Sequence, residues 1–142
     1  MSGLAGLLAG RDTPGVWRWD SRMDPADVRD AVQGAGWVFG HVDGLLAQGR
    51  AEFLTAVGES LSFPEYYGRN FDALADCLDD LPGAGAAGVV LLWDTWGVLA
   101  HEDRRSFDTA VAVLAERASR GAPFAALLRG DGPEDVLLPL LD

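Results

Sequence analysis

The chain has no lysine and one cysteine, Cys77, among its 142 residues. A single cysteine excludes an intramolecular disulfide and a cysteine-rich metal site. Without lysine, all positive side-chain charge rests on arginine: 11 basic residues face 22 carboxylates, for a formal net charge of −11 and a pI of about 4.4. Such a balance repels nucleic-acid phosphates and anionic lipid and attracts basic partners, and it also serves solubility. No basic patch suggests direct binding of RNA. No apolar run approaches the ~18 residues of a membrane span. Met1–Gly10 is mildly apolar, but no basic region precedes it and it is short for a signal peptide, so a flexible start and a cytoplasmic protein are expected. There are two histidines. His41 lies inside a strand pattern, as a core or edge residue does, and His101 reads as opening a helix; neither supports a catalytic triad.

What is present is a core. Apolar residues make up 49% of the chain, enough for one domain that needs no metal or disulfide to hold it. Asp12-Thr13-Pro14-Gly15 reads as a loop, and Val16–Trp19 as a short edge strand. Asp24-Pro25 supplies a helix cap followed by proline at the first helical position, and Val28 and Val32 carry a short helix to Gly34–Gly36. Trp37–Val42 reads as a strand, closed by an Asp43-Gly44 turn. Over Arg50–Leu61, Phe53, Leu54, Val57 and Leu61 share one helical face, and Phe63-Pro64 ends the helix. Gly83–Gly88 is a linker. Val89–Trp93 is the unbroken apolar run of a strand covered on both faces. A short helix over Trp96–Ala100 and a longer one from about Glu102 to Arg120 follow, the second with Phe107, Val111, Leu114 and Ala118 inward and Gly121 and Pro123 to stop it. Phe124–Leu128 is the last strand, and the remainder reads as a tail. Strands alternating with helices predict an α/β fold, a small parallel sheet flanked by helices.

The segment Asn70–Leu81 carries the functional signal. Asn70 is a favoured helix cap, and Phe71, Leu74, Cys77, Leu78 and Leu81 fall on one apolar face. Asp72, Asp76, Asp79 and Asp80 crowd the other. Asp72 suits the positive end of the helix dipole, but Asp76 repels acids one turn away on both sides, at roughly 0.2–0.5 kcal/mol per pair. No cation at helical spacing within the helix relieves the stripe. It is either a solvated face or an anionic surface waiting for a cationic partner. Asp72 and Asp76, about 6 Å apart on adjacent turns, could also be a glycosidase pair, yet nothing else suggests a sugar cleft. The spacing of the acids matches no calcium loop, so no metal is expected. Cys77 lies on the apolar face with no base beside it, the setting of a structural thiol.

The run from Phe63-Pro64-Glu65-Tyr66-Tyr67-Gly68-Arg69-Asn70 through Phe71-Asp72-Ala73-Leu74-Ala75-Asp76-Cys77-Leu78 resembles the signature of the barstar family, intracellular inhibitors of barnase-type ribonucleases. The order of elements over about residues 36–129 is also similar. The resemblance implies a barstar-like α/β domain over 36–129, an N-terminal extension over 1–35 adding a strand and a helix to the same domain, and a tail over 130–142. It implies a cytoplasmic, non-enzymatic inhibitor without cofactor, monomeric when unbound, whose partner is a basic ribonuclease. Tyr66 would pack on a catalytic histidine, Asp72 and Asp76 would face the enzyme's cationic cleft, with Asp76 in the place of a phosphate, and Glu116 would add a further acidic contact. Gly68 and Asn70 would shape the loop and helix start, with Tyr67, Asp79 and Asp80 completing the surface. Two positions depart. The family's best-known member has tryptophan where Ala75 stands and an acid where Arg69 stands, which points to a different choice of partner. The alternative is an acidic interaction module for another basic protein, a toxin or a regulator.

Overall fold

The computed structural model describes residues 3–142. Its centre is a five-stranded, wholly parallel sheet built from β1 (Val16–Trp19), β2 (Val38–Asp43), β3 (Val89–Asp94), β4 (Phe124–Arg129) and β5 (Leu140–Leu141), in the order β2-β3-β4-β1-β5. Six helices flank it: α1 (Gly3–Leu8), α2 (Pro25–Gly34), α3 (Arg50–Ser60), α4 (Phe71–Asp79), α5 (Gly97–Glu102) and α6 (Arg104–Ala118). The α/β reading of the sequence is the fold observed.

Alternation along the strands splits the core into two layers. Val89, Leu91 and Trp93 of β3 face α3 to α6 with Phe124, Ala126 and Leu128 of β4. Val90, Leu92, Ala125 and Leu127 face the other way, under α1 and α2. Trp93 packs against Phe53 and Phe107, with ring centroids at 4.5 and 5.6 Å. The right-handed crossover rule accounts for this division. The connections β2 to β3 and β3 to β4 advance across the sheet in one direction, and the long return from β1 to β2 puts α2 on the opposite face.

Several expectations change in the structure. The start of the chain was expected to be flexible; Met1 and Ser2 lie outside the described residues, but from Gly3 onward α1 forms, and Leu4 and Leu7 are buried against the second face. Val16–Trp19 is not an edge strand, because β5 pairs with it beyond β4. The final residues, expected as a tail, supply β5, with Leu141 buried and Val136 and Leu138 packed on the first layer. The two helices expected after β3 both form, but the longer one starts later. Asp103 closes α5 and caps α6, accepting from the Ser106 N–H at 3.1 Å and its hydroxyl at 2.7 Å, so α6 begins two residues later than the pattern suggests. His101 consequently sits in the last turn of α5 rather than opening a helix.

Candidate functional site: an acidic helix and its linker

The cap forecast for α4 forms: Asn70 Oδ1 accepts the Ala73 N–H at 2.8 Å, satisfying one of the helix's free donors. Leu74, Cys77 and Leu78 are buried, and Phe71 and Leu81 half-buried. The Arg50 guanidinium lies over the Phe71 ring at 5.4 Å, joining the starts of α3 and α4.

The other end of α4 is held by a residue the sequence reading passed over. Arg117, on the inward side of α6 and only 3% exposed, donates to the carbonyls of Leu78 (2.9 Å), Leu81 (2.8 Å), Arg120 (2.7 Å) and Ala122 (3.0 Å). It stacks over Phe124 at 5.4 Å. A buried guanidinium thus meets carbonyls at and just beyond the ends of α4 and α6, of which Leu78 also accepts the Leu81 N–H at 3.2 Å, and offsets the negative pole of α4. Burial pulls its pKa down. A basic residue three positions after the inward-facing Leu114 was the available signal.

The linker before α4 has an inner and an outer tyrosine. Tyr67 turns inward, its hydroxyl donating to the Leu54 carbonyl at 3.0 Å and its ring edge-on to Phe63 at 5.0 Å. Gly58 makes this possible, since a Cβ there would stand 2.7 Å from the Tyr67 ring. Burial pushes the Tyr67 phenol up to about 12. Tyr66 points the other way and is 82% exposed. Gly68 and Arg69 are exposed, and Arg69 holds a left-handed φ of 52°, which costs a non-glycine residue on the order of 1 kcal/mol.

The expected site residues separate into two sets. Asp72, Asp76 and Asp80 are exposed and, among the described residues, form no ion pair. Asp79 and Glu116 are paired internally: Arg120 reaches Asp79 at 2.8 Å and Glu116 at 3.1 Å. The stripe therefore has a relieving cation after all, supplied by Arg120, just past the end of α6 and 41 residues away. Ala75 is half-buried and offers no large side chain. Burial first, then the charges of Asp80 and Asp76, push the Cys77 thiol up, which disfavours the nucleophilic thiolate. No cluster of three or more metal-ligating side chains occurs among the described residues.

A second polar cluster ties the C-terminal ends of three strands. Asp94 of β3 accepts from His41 of β2 at 2.8 Å and from both Nε and Nη2 of Arg129 of β4. Arg129 Nη1 also donates to the carbonyls of Ser21 (3.1 Å) and Met23 (2.7 Å), between β1 and α2. Burial alone would raise the Asp94 carboxyl, but the hydrogen bonds from Arg129 and His41 outweigh it and leave the group below its ordinary range.

Fold and site together define an α/β domain with a doubly covered parallel sheet and a rigidly seated acidic helix turned to solvent. Residues 37–129, more than half of the chain, match the family model described as Barstar (barnase inhibitor). The chain belongs to the barstar family, one of inhibitors. A comparison with curated proteins finds no match.

Among solved structures, the chain is similar to the Aeropyrum pernix ORC2 protein in its ADP form (TM-score 0.63, 15% identity, 91% of this chain and 38% of that one). It is similar also to the ADPNP-ADP complexes of that protein (0.62, 16%, 91% and 38%). A third match is Drosophila ORC bound to DNA (0.64, 15%, 90% and 36%). The chain spans well under half the length of these neighbours, and the likeness is one of fold. No helix among the described residues is long and apolar enough to cross a membrane.

Proposed function

We propose that this protein binds a basic ribonuclease and occludes its RNA-cleaving site with α4 and the linker before it. The observation that carries the reading is that Asp72 and Asp76 are exposed and, among the described residues, without an internal cation, on a helix fixed at both ends, in a chain of the barnase-inhibitor family. Unpaired carboxylates on a rigid helix lose little entropy on meeting arginine, lysine or histidine, and charge-assisted hydrogen bonds form at short range. The charge of −11 steers a cationic enzyme toward the protein. Tyr66 supplies a flat contact beside the acids. Asp80 extends the anionic surface, while Asp79 and Glu116 act with Arg120 as its border rather than its centre.

A second reading, an acidic module for a different basic protein, is favoured by Ala75 and Arg69. The centre of the helix carries a methyl group, and a cation stands at its start.

The test measures RNA cleavage by a panel of basic ribonucleases with wild type, Asp76→Ala and Asp30→Ala. Asp30 is the control: it is exposed on α2, on the opposite layer. Inhibition of one of the enzymes is expected, weakened at least tenfold by Asp76→Ala and less than twofold by Asp30→Ala. Equal losses from the two changes, or unimpeded cleavage by every enzyme, would overturn the proposal.

A further inference from the structure

β2 ends the sheet on one side, with β3 as its only neighbouring strand among the described residues. Its first N–H donates to the Gly88 carbonyl at 2.8 Å, and the Gly44 N–H beyond its end donates to Asp94 at 2.7 Å. In a parallel ladder the partner changes side with each residue, so Gly40 and Val42 also face β3. The N–H and C=O groups of Phe39 and His41, and the N–H of Asp43, therefore point to the open side. The Asp43 carbonyl is taken by the turn that follows, accepting from Leu46 and Ala47.

An open groove of about 640 Å³ runs along this edge, between β2 and the flank of α3. Its walls hold the carboxylates of Asp43, Glu52 and Glu59, with apolar contact from Leu46, Ala51 and Ala56, and no arginine among the described residues lines it. Leu46 is 79% exposed. Arg29 is stacked over Phe39 at 5.4 Å, on the α2 side at the start of the strand. None of these residues belongs to α4 or its linker, so the groove is separate from the surface proposed for the ribonuclease.

We propose that the β2 edge is a second docking surface, which receives an extended, basic segment of a partner protein as an added sixth strand. Backbone groups of the incoming segment would meet those of Phe39, His41 and Asp43, as in other cases of strand addition. Alternate side chains would lie over α3, where the stems of lysine or arginine cover Ala51 and Ala56 and the heads reach Glu52 and Glu59. The same carboxylates oppose pairing with a second copy of this acidic chain, which makes a cationic strand the occupant that the edge selects.

The probe is a seven-residue peptide of alternating lysine and valine, titrated into the full protein at low salt while amide hydrogen exchange is followed. Exchange at Phe39, His41 and Asp43 is expected to slow at least tenfold. Affinity is expected to fall at least tenfold when alternate peptide amides are N-methylated, and again in a Glu52→Lys, Glu59→Lys variant, both exposed positions whose change leaves the core intact. Asp76→Ala should leave the titration unchanged. Equal binding of the N-methylated peptide would mean attraction by charge alone and overturn strand addition. Equal binding of a glutamate–valine peptide, or a dimer of the protein that the lysine peptide does not displace, would overturn the choice of occupant.

Discussion

Arg117 illustrates how a single side chain governs the surface the protein presents. Its guanidinium is charged, buried and shared among four carbonyls. Methionine there would fill similar space yet take the donor from the Leu81, Arg120 and Ala122 carbonyls, while Leu78 keeps the Leu81 N–H, and each acceptor left unpaired where water cannot reach costs roughly 1–3 kcal/mol. Arg117→Met is expected to lower stability by about 3 kcal/mol, read from the urea midpoint, and Arg117→Lys to recover only part, because one ammonium cannot replace the planar fork. A loss under about 1 kcal/mol in the methionine variant would show that the carbonyls find other partners. Residues of this kind were only half legible. An arginine on an apolar helical stripe is visible in the sequence, but its acceptors, scattered over two chain segments, are not. The Arg120 bridge to Asp79 was hidden for the same reason: Asp79 ends α4 and Arg120 follows the end of α6, and helical spacing describes one helix at a time.

At the scale of elements, those with their own local instructions were readable. α4 has a cap, an apolar stripe and a polar face, and it forms where they indicate. Asn70→Ala should cost about 1 kcal/mol, the usual price of losing a helix cap, and should raise amide exchange at Ala73 and Leu74 before the rest of the helix. If exchange rose equally throughout α4, the cap would be shown not to hold the first turn locally. The elements missed are those that local pattern cannot specify. α1 is six residues long, too short to nucleate alone, and exists because Leu4 and Leu7 find the second face of the sheet. β5 has two residues and is a strand only by virtue of β1 beside it. The pattern that spoke for one helix from 102 to 120 overlooked Asp103, whose carboxylate offers the backbone of Ser106 a cap in place of a continuous turn.

For the molecule as a whole, the question is how the segment before the family match is joined to the rest. β1 and β5 extend the sheet beyond β4, and α1 and α2 cover a face that residues 37–129 would otherwise expose. Beside the β1–β4 ladder, the cluster around Asp94 is a side-chain link, since the same Arg129 that pairs with it also holds the carbonyls of Ser21 and Met23. The sign of its pH dependence follows from the lowered pKa of Asp94. A carboxyl depressed in the folded state stabilises the fold above its ordinary value, near 4, and that contribution is lost as pH falls through the folded value. Asp94→Asn is therefore expected to be less stable than wild type at pH 7 by about 2 kcal/mol, within the range for hydrogen bonds to charged groups. The gap should narrow steadily below about pH 4, as wild type loses the same charge, while other carboxylates cancel in the difference. Urea unfolding of both proteins at pH 7, 4 and 3 reads this directly. A gap independent of pH would mean that Asp94 acts by shape alone, and that the ion pair adds nothing to the β1–β4 ladder that joins the two parts of the sheet.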